Sequence, residues 1–335
     1  MTERPTQEGP GITGADVVGD EVGTRLINQP DPALVAQPGV TAIQVEGRSL
    51  WQDAWTELRH NPLFWISAAL ICFFALMAIW PSLFTNGDPN FADLSRAREK
   101  PSADAWFGMD GQGYDVYTRT IYGARASILV GVMTSIFVLI IGLVFGIIAG
   151  YRAGWVDSFF SRFGEIFIAI PMLLGGIVFL TVFPNKPGDP YVVIVGKIVL
   201  VLTLLSWPRL MRIMRSSVVQ VKPAEYVAAA RALGSGPWRI VRSHIMPNAI
   251  APVIVIATID LGVYITIEAS LSFLGIGLQP PAISWGLAIS QASGLGSVRN
   301  APHMLLFPSL FLSLTVLSFI MLGDAVRDAI DPKLR

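Results

Sequence analysis

Long apolar stretches without charge constrain the fold of this chain more than any other feature. No Asp, Glu, Lys or Arg lies between Arg125 and Arg152. A transmembrane helix needs about 20 consecutive apolar residues. Only 14% of the 335 residues are charged and the mean hydropathy is +0.56, whereas a soluble domain carries about 25% charged residues. The sequence therefore predicts an all-α polytopic membrane protein.

Six long, predominantly apolar stretches predict six transmembrane helices. Their expected ranges are 63–84, 125–152, 166–183, 191–207, 249–275 and 304–323. The third range can begin one turn earlier. We expect Pro171 to kink this third helix, because proline lacks a backbone N–H and its ring clashes with the preceding turn.

The second range carries three glycines at four-residue spacing, Gly142, Gly146 and Gly150. Glycines at this spacing lie on one helix face and allow a neighbouring helix to approach closely. Packing within the chain is the favoured interpretation, and a subunit interface is the alternative.

Residues 1–47 are rich in Pro, Gly, Thr, Gln and Asp, which predicts a disordered tail without a signal peptide. Residues 48–62 predict an amphipathic helix in the membrane interface, capped by Ser49, with Trp51 and Trp55 on one face. A plain extension of the first span is the alternative. Residues 63–335 then form the transmembrane domain.

Basic residues predict the orientation, because Lys and Arg concentrate on the cytoplasmic side of membrane proteins. The segment between the fourth and fifth spans holds Arg209, Arg212, Arg215, Lys222, Arg231, Arg239 and Arg242. The segment at 85–122 lies on the opposite side, and acidic residues there offset its few basic ones. Both termini are therefore expected in the cytoplasm.

The polar segment 223–247, called here the coupling tab, separates two apolar spans. Glu225 opens a helix rich in alanine, and Gly234 to Gly236 end it. Pro237 can open a second short helix that closes at Pro247. The pattern predicts a helix–turn–helix that docks into a groove of a soluble partner; the alternative is a surface helix held only by its own membrane domain.

Two acids lie within the fifth span, and charge inside a membrane indicates function by default. Asp260, Tyr264 and Glu268 share one broad side of this helix. We expect that side to face a translocation path, where an anionic wall could meet a cation, or a charge partner near that path. For Glu268, the alternative is a position near the outer end that reaches water.

The sequence offers no catalytic or metal-binding constellation. Its three histidines are scattered, and no Gly-x-x-x-x-Gly-Lys-Ser/Thr motif occurs. Catalysis and metal binding are not expected in this chain, and ATP with its Mg²⁺ would be bound by a separate ATPase. Cys72, the single cysteine, cannot form an intrachain disulfide.

The coupling tab carries a recognisable pattern, Glu-x-x-x-Ala-Ala-Arg-Ala-x-Gly followed by His-Ile-x-Pro-Asn. It resembles the EAA motif of ABC importer permeases, and more narrowly the C-type subunit of the dipeptide/oligopeptide/nickel family. Segments 108–115, 149–157, 268–286 and 322–332 agree with that family. The resemblance implies that the residues matching this pattern couple the permease to the ATPase. They are Glu225, Ala229, Ala230, Arg231, Gly234, His244 and Pro247.

The resemblance implies a type I importer fold in a bacterial cytoplasmic membrane, importing peptides. It further implies a second related permease, one or two ABC ATPases and an extracytoplasmic solute-binding protein as partners. Nickel complexes, haem or glycans are alternative cargoes. A secondary transporter that works without an ATPase is the rival class.

The resemblance also marks an extracytoplasmic mouth at Asp110, Asp115 and Trp285. The chain departs from the family here, since residues 109–115 read Met-Asp-Gly-Gln-Gly-Tyr-Asp. The family usually has Thr-Asp-Asp/Glu-x-Gly-Arg-Asp, so an acid and an arginine are replaced. This difference leaves the type of cargo open.

Overall fold

A computed structural model describes residues 50–186 and 188–330 of the chain. The predicted tail at residues 1–47 and the cap at Ser49 lie outside these ranges. The described residues form helices in the order α1 Leu50–Leu58, α2 Pro62–Ile79, α3 Val116–Arg152, α4 Gly154–Ile168, α5 Met172–Val182, α6 Tyr191–Val221, α7 Glu225–Ala232, α8 Pro237–Ile240, α9 Met246–Ala249, α10 Ala251–Phe273, α11 Trp285–Ala292, α12 Leu295–Asn300 and α13 His303–Ile330.

Among the described helices, α2, α3, α6, α10 and α13 are each long and apolar enough to cross a membrane. The pair α4 and α5 passes the same test together but is bent by 79° at a short break. Residues 50–186 and 188–330 thus contain five candidate spans, or the predicted six when the bent pair counts as one. The all-helical membrane fold is confirmed.

The third predicted span is a broken helix rather than a kinked one. Helix α4 ends at Ile168 and α5 begins after Pro171, whose ψ of 126° is not helical. Proline disfavours the helical conformation in the residue before it and has no N–H for the helix ladder. Pro171 therefore ends one helix and starts another in a new direction.

Three other predicted spans are too short, because their polar flanks are also helical; the last of them, α13, continues to Ile330. Helix α3 begins at Val116, where the Asp115 carboxylate accepts the N–H groups of Tyr117 and Thr118 at 3.2 and 3.1 Å. Such a cap satisfies N–H groups that have no partner inside the helix. Helix α6 continues through Pro208 to Val221, so three of the arginines counted in the cytoplasmic segment belong to it.

The glycine face of α3 packs within the chain, as the favoured interpretation expected. A Cβ on Gly146 would lie 2.6 Å from the Cβ of Met214, and one on Gly150 would lie 2.8 Å from that of Val218. The backbones of α3 and α6 are therefore in close contact along the C-terminal halves of both helices. Helix α10 packs across α3, α6 and α13, and α2 packs against α13 and α3.

The first helix, α1, packs against α13, and Ala54 is buried there while Trp55 is largely exposed. It is separated from α2 by a short turn in which the Asn61 side chain accepts the N–H of Leu63 at 2.9 Å. Helix α1 is thus a separate helix rather than a straight continuation of the first span. Its position in a membrane interface stays a prediction.

We predict that Gly146→Val lowers the melting temperature of the purified protein, because an added side chain must displace the Met214 side chain or the Met211 carbonyl. Overpacking of this kind costs about 1–3 kcal/mol. Gly196→Val in α6 is the matched control, since a Cβ there meets nothing within 4 Å. Equal melting temperatures for the two variants in the same detergent would contradict this account of the α3–α6 contact.

Candidate functional site

The coupling tab folds as the sequence predicts in its first half and differs in its second. Helix α7 is followed by a turn and then by α8, a π-helical turn at Val241–Ile245, and α9. Pro247 was expected to close the second helix, but it lies within α9, near its start. The first turn of a helix accepts proline because the missing N–H would have no partner there. The tab therefore leads into α10 with little interruption.

The turn of the tab depends on Gly234, which has a φ of +80°. The N–H of Gly234 donates to the Arg231 carbonyl at 3.0 Å, and the N–H of Ser235 donates to the Ala230 carbonyl at 3.0 Å. These two bonds form a Schellman motif, which satisfies carbonyls at the end of a helix. Glycine adopts this left-handed conformation without steric cost.

One face of α7 packs on the chain and the other is exposed. Val227 and Ala230 are buried, so Ala230, expected to contact an ATPase, packs against its own chain. His244 is half-buried, with its ring centroid 6.5 Å from that of Tyr226. The other residues of the predicted coupling set are exposed, namely Glu225, Ala229, Arg231, Gly234 and Pro247.

Two exposed apolar residues of the tab were missed by the motif. Leu233 is 87% exposed at the end of α7, and Trp238 is 75% exposed in α8. Large apolar side chains that project from a polar surface are typical of interaction sites. Their apolar character inside a polar segment was the available sequence clue. Ala229 and Leu233 lie one turn apart and share an exposed apolar face at the end of α7. Trp238 instead borders a cavity along α3 that Val144 and Ile147 also line.

A hydrogen bond and two ion pairs connect the region just before the tab to helices α3 and α4. The Lys222 ammonium donates to the Tyr151 carbonyl at the end of α3, at 2.7 Å. Arg215 forms a two-pronged ion pair with the Asp157 carboxylate of α4, and Arg212 donates to Glu165 of the same helix at 3.3 Å. Helix α6 is thus fixed to α3 and α4 just before the tab begins.

The structure separates the three residues that the sequence placed on one path-facing side. Asp260 and Tyr264 line a cavity of about 560 Å³, together with Ser206 and Arg209. Asp260 is nearly buried, and its carboxylate accepts the Nη1–H of Arg209 at 2.9 Å. Asp260 is therefore neutralised within the chain and does not present a free anionic wall.

Glu268 neither lines this cavity nor reaches solvent within the chain. It is 0% exposed, and it accepts the Ser272 hydroxyl hydrogen at 2.8 Å. The Ser272 oxygen in turn accepts the N–H of Leu278 at 2.9 Å. Glu268 therefore helps to attach the segment after α10 to that helix. Contact between cargo and any of the three predicted path residues stays a prediction.

The three residues of the predicted mouth stabilise the segments around the first residues of α3 and α11. The Asp110 carboxylate accepts the N–H groups of Gln112 and Tyr114, at 2.8 and 2.9 Å, and Asp115 caps α3. Trp285 is 0% exposed, and its indole N–H donates to the Thr120 carbonyl at 2.8 Å. It anchors α11 against α3. Their role at a mouth stays a prediction.

No group of three or more His, Cys, Asp or Glu side chains in residues 50–186 and 188–330 is arranged to hold a metal ion. The features that remain are an exposed tab, an intramembrane ion pair and a cavity. Residues 142–335, which contain all three, match the family model described as the inner membrane component of binding-protein-dependent transport systems. The chain belongs to this family. Residues 49–101 match the model of the N-terminal TM domain of oligopeptide transport permease C.

Relatives along nearly the whole chain carry peptide permease names. The chain is 36% identical over 308 residues to the oligopeptide transport system permease protein OppC of Bacillus subtilis, a match that spans 92% of this chain and 98% of OppC. It is 38% identical over 288 residues to the dipeptide permease DppC of the same organism, covering 86% and 87%. It is 34% identical to the glutathione permease GsiD of Salmonella typhimurium, covering 93% and 99%.

A solved structure of the MetNI methionine ABC transporter in inward-facing conformations has the same fold. The TM-score is 0.51 at 21% identity, and the match covers 64% of this chain and 96% of the other. This permease is an ABC transporter component with the type I fold, as the sequence predicted.

We predict that Trp285→Phe lowers the melting temperature, because it removes the buried hydrogen bond from the indole N–H to the Thr120 carbonyl. A typical hydrogen bond contributes about 0.5–1.5 kcal/mol to stability. Trp238→Phe is the control, because that indole is mostly exposed. A normal melting temperature for Trp285→Phe combined with altered transport would instead favour direct contact of Trp285 with cargo or its binding protein.

Proposed function

We propose that the chain is the C-type permease subunit of an ABC importer that carries di- and oligopeptides into the cytoplasm. The names of the relatives support this cargo class, and glutathione is itself a short peptide. The observation that carries the coupling role is the tab, because it exposes an apolar face of Ala229 and Leu233 at the end of α7. Such a surface fits a groove on a soluble partner.

In this proposal the tab docks on an ATPase subunit, which binds ATP and Mg²⁺. Closure of the ATPases on ATP pushes the tab, and the push reaches the spans through two backbone connections. Residues 222–224 join α6 to α7, and Ile250 joins α9 to α10. The Lys222–Tyr151 bond connects the same point to the end of α3. The permease itself carries out no catalytic step.

The remaining partners follow from the same proposal. A second, related permease completes the translocation path, and a solute-binding protein delivers cargo from the outside. The tab and both termini lie in the cytoplasm of a bacterial cell, in agreement with the basic residues around the tab. The chain then crosses the cytoplasmic membrane several times.

Uptake of a radiolabelled dipeptide by the native host tests the cargo. We predict that deletion of the gene for this chain abolishes uptake and that a plasmid copy restores it. Purification of the restored complex should recover a P-loop ATPase. Normal uptake in the deletion strain would count against a peptide cargo, provided that no second peptide importer is present in the strain used.

The coupling role is tested by Gly234→Ala, because alanine is strained at a φ of +80°. A left-handed conformation costs an L-residue about 1–2 kcal/mol. We predict severely reduced uptake and loss of cargo-stimulated ATP hydrolysis, with normal membrane insertion. Gly236→Ala is the matched control: its φ is −67°, it has open space around it, and it should keep most activity. Equal activity of the two variants would contradict a docking role for this turn.

A further inference from the structure

The cavity beside Asp260 has a cation, not an anion, at its surface. The Arg209 side chain is 61% exposed, whereas its partner Asp260 is only 5% exposed. Asp260 is the tenth residue of α10, which places it about 13 Å along the helix axis from Ala251. The open charge therefore lies well inside the predicted span, on the wall of a cavity of about 560 Å³.

The Arg209 guanidinium has donors to spare. Its ion pair with Asp260 is a single bond from Nη1, at 2.9 Å, and a guanidinium carries five N–H donors in a fixed fork. A charged group inside a membrane is too costly to face lipid and is found facing a bundle interior or a water-filled path. The free donors of Arg209 therefore face such a path.

The rest of the cavity wall suits a small amphiphilic anion. Arg212 supplies a second guanidinium, whose pair with Glu165 is largely exposed and therefore weak. Ser206 and Tyr264 add hydroxyl groups. The remaining lining is apolar and includes Phe167, Ile170, Pro171, Met172, Leu205 and Val263. The carboxylate of such an anion can thus bind the polar side of the cavity, while its apolar part contacts the apolar side.

We propose that Arg209 is a carboxylate contact on the translocation path, and that Asp260 is its internal counter-ion between transport cycles. The guanidinium fork matches a carboxylate in two-pronged geometry. Because Asp260 stays paired through Nη1 and offsets the positive charge while cargo binds the remaining donors, binding at this point stays weak enough for release. This inference rests on the proposed peptide cargo, since the C-terminus of a peptide supplies the carboxylate.

The test uses the complete importer in proteoliposomes, with a dipeptide as the probe. In the swapped variant Arg209→Asp/Asp260→Arg, the ion pair persists but the guanidinium moves to the buried position. We expect the complex to assemble and uptake to fall at least tenfold. The neutral pair Arg209→Met/Asp260→Met should behave the same way. Arg209→Lys keeps the charge without the fork, and it should raise KM more than it lowers kcat.

The matched control is the swap Arg215→Asp/Asp157→Arg, which preserves an ion pair that does not line the cavity. Arg215 lies on the same helix, α6, three residues after Arg212 and six after Arg209. It should keep most uptake. Wild-type uptake in both Arg209–Asp260 double variants would overturn the proposal and leave a purely structural pair. Failure of either double variant to recruit the second permease would also overturn it, by assigning Arg209 to the subunit interface. If the wild-type importer does not transport peptides at all, the proposed function fails before this test is reached.

Discussion

The close packing of α3 against α6 is the contact on which the rest of the structure depends. Helices in lipid gain little from burying apolar side chains, so their association depends on close backbone approach and polar contacts. Gly142, Gly146 and Gly150 permit that approach, and Lys222 adds a bond to the end of α3. Helix α6, once fixed in this way, carries three arginines to their acids on α4 and α10.

Much of this fold could be predicted from sequence, because local chemistry determines it. Long apolar runs located the spans, and Gly234 after an alanine-rich stretch located the turn of the tab. The errors arose where helices continue into polar sequence. Asp115 caps α3 well before the apolar run begins, and α6 accommodates Pro208 inside the helix. The charge-free criterion does not detect either extension, because it measures apolarity rather than helix formation.

The site was predicted less completely, because its decisive contacts join residues far apart in sequence. Arg209 and Asp260 lie on different helices, so the sequence indicated an acid in a membrane but not its neutralising partner. Helical spacing placed Glu268 on the same broad side of α10 as Asp260. Its complete burial depends instead on Ser272 and on the segment that returns against α10. Spacing along one helix predicts which residues share a side, but not which neighbouring element covers them.

The tab and the ion pair are connected by the chain itself. Helix α6 ends at Val221, just before the tab, and α10 begins at Ala251, just after it. The two helices that supply Arg209 and Asp260 are therefore the two that enter and leave the tab. A displacement of the tab reaches both helices through the backbone, because only residues 222–224 and Ile250 intervene. The cavity lies where these two helices meet, so a movement that changes their separation changes the ion pair and the cavity together.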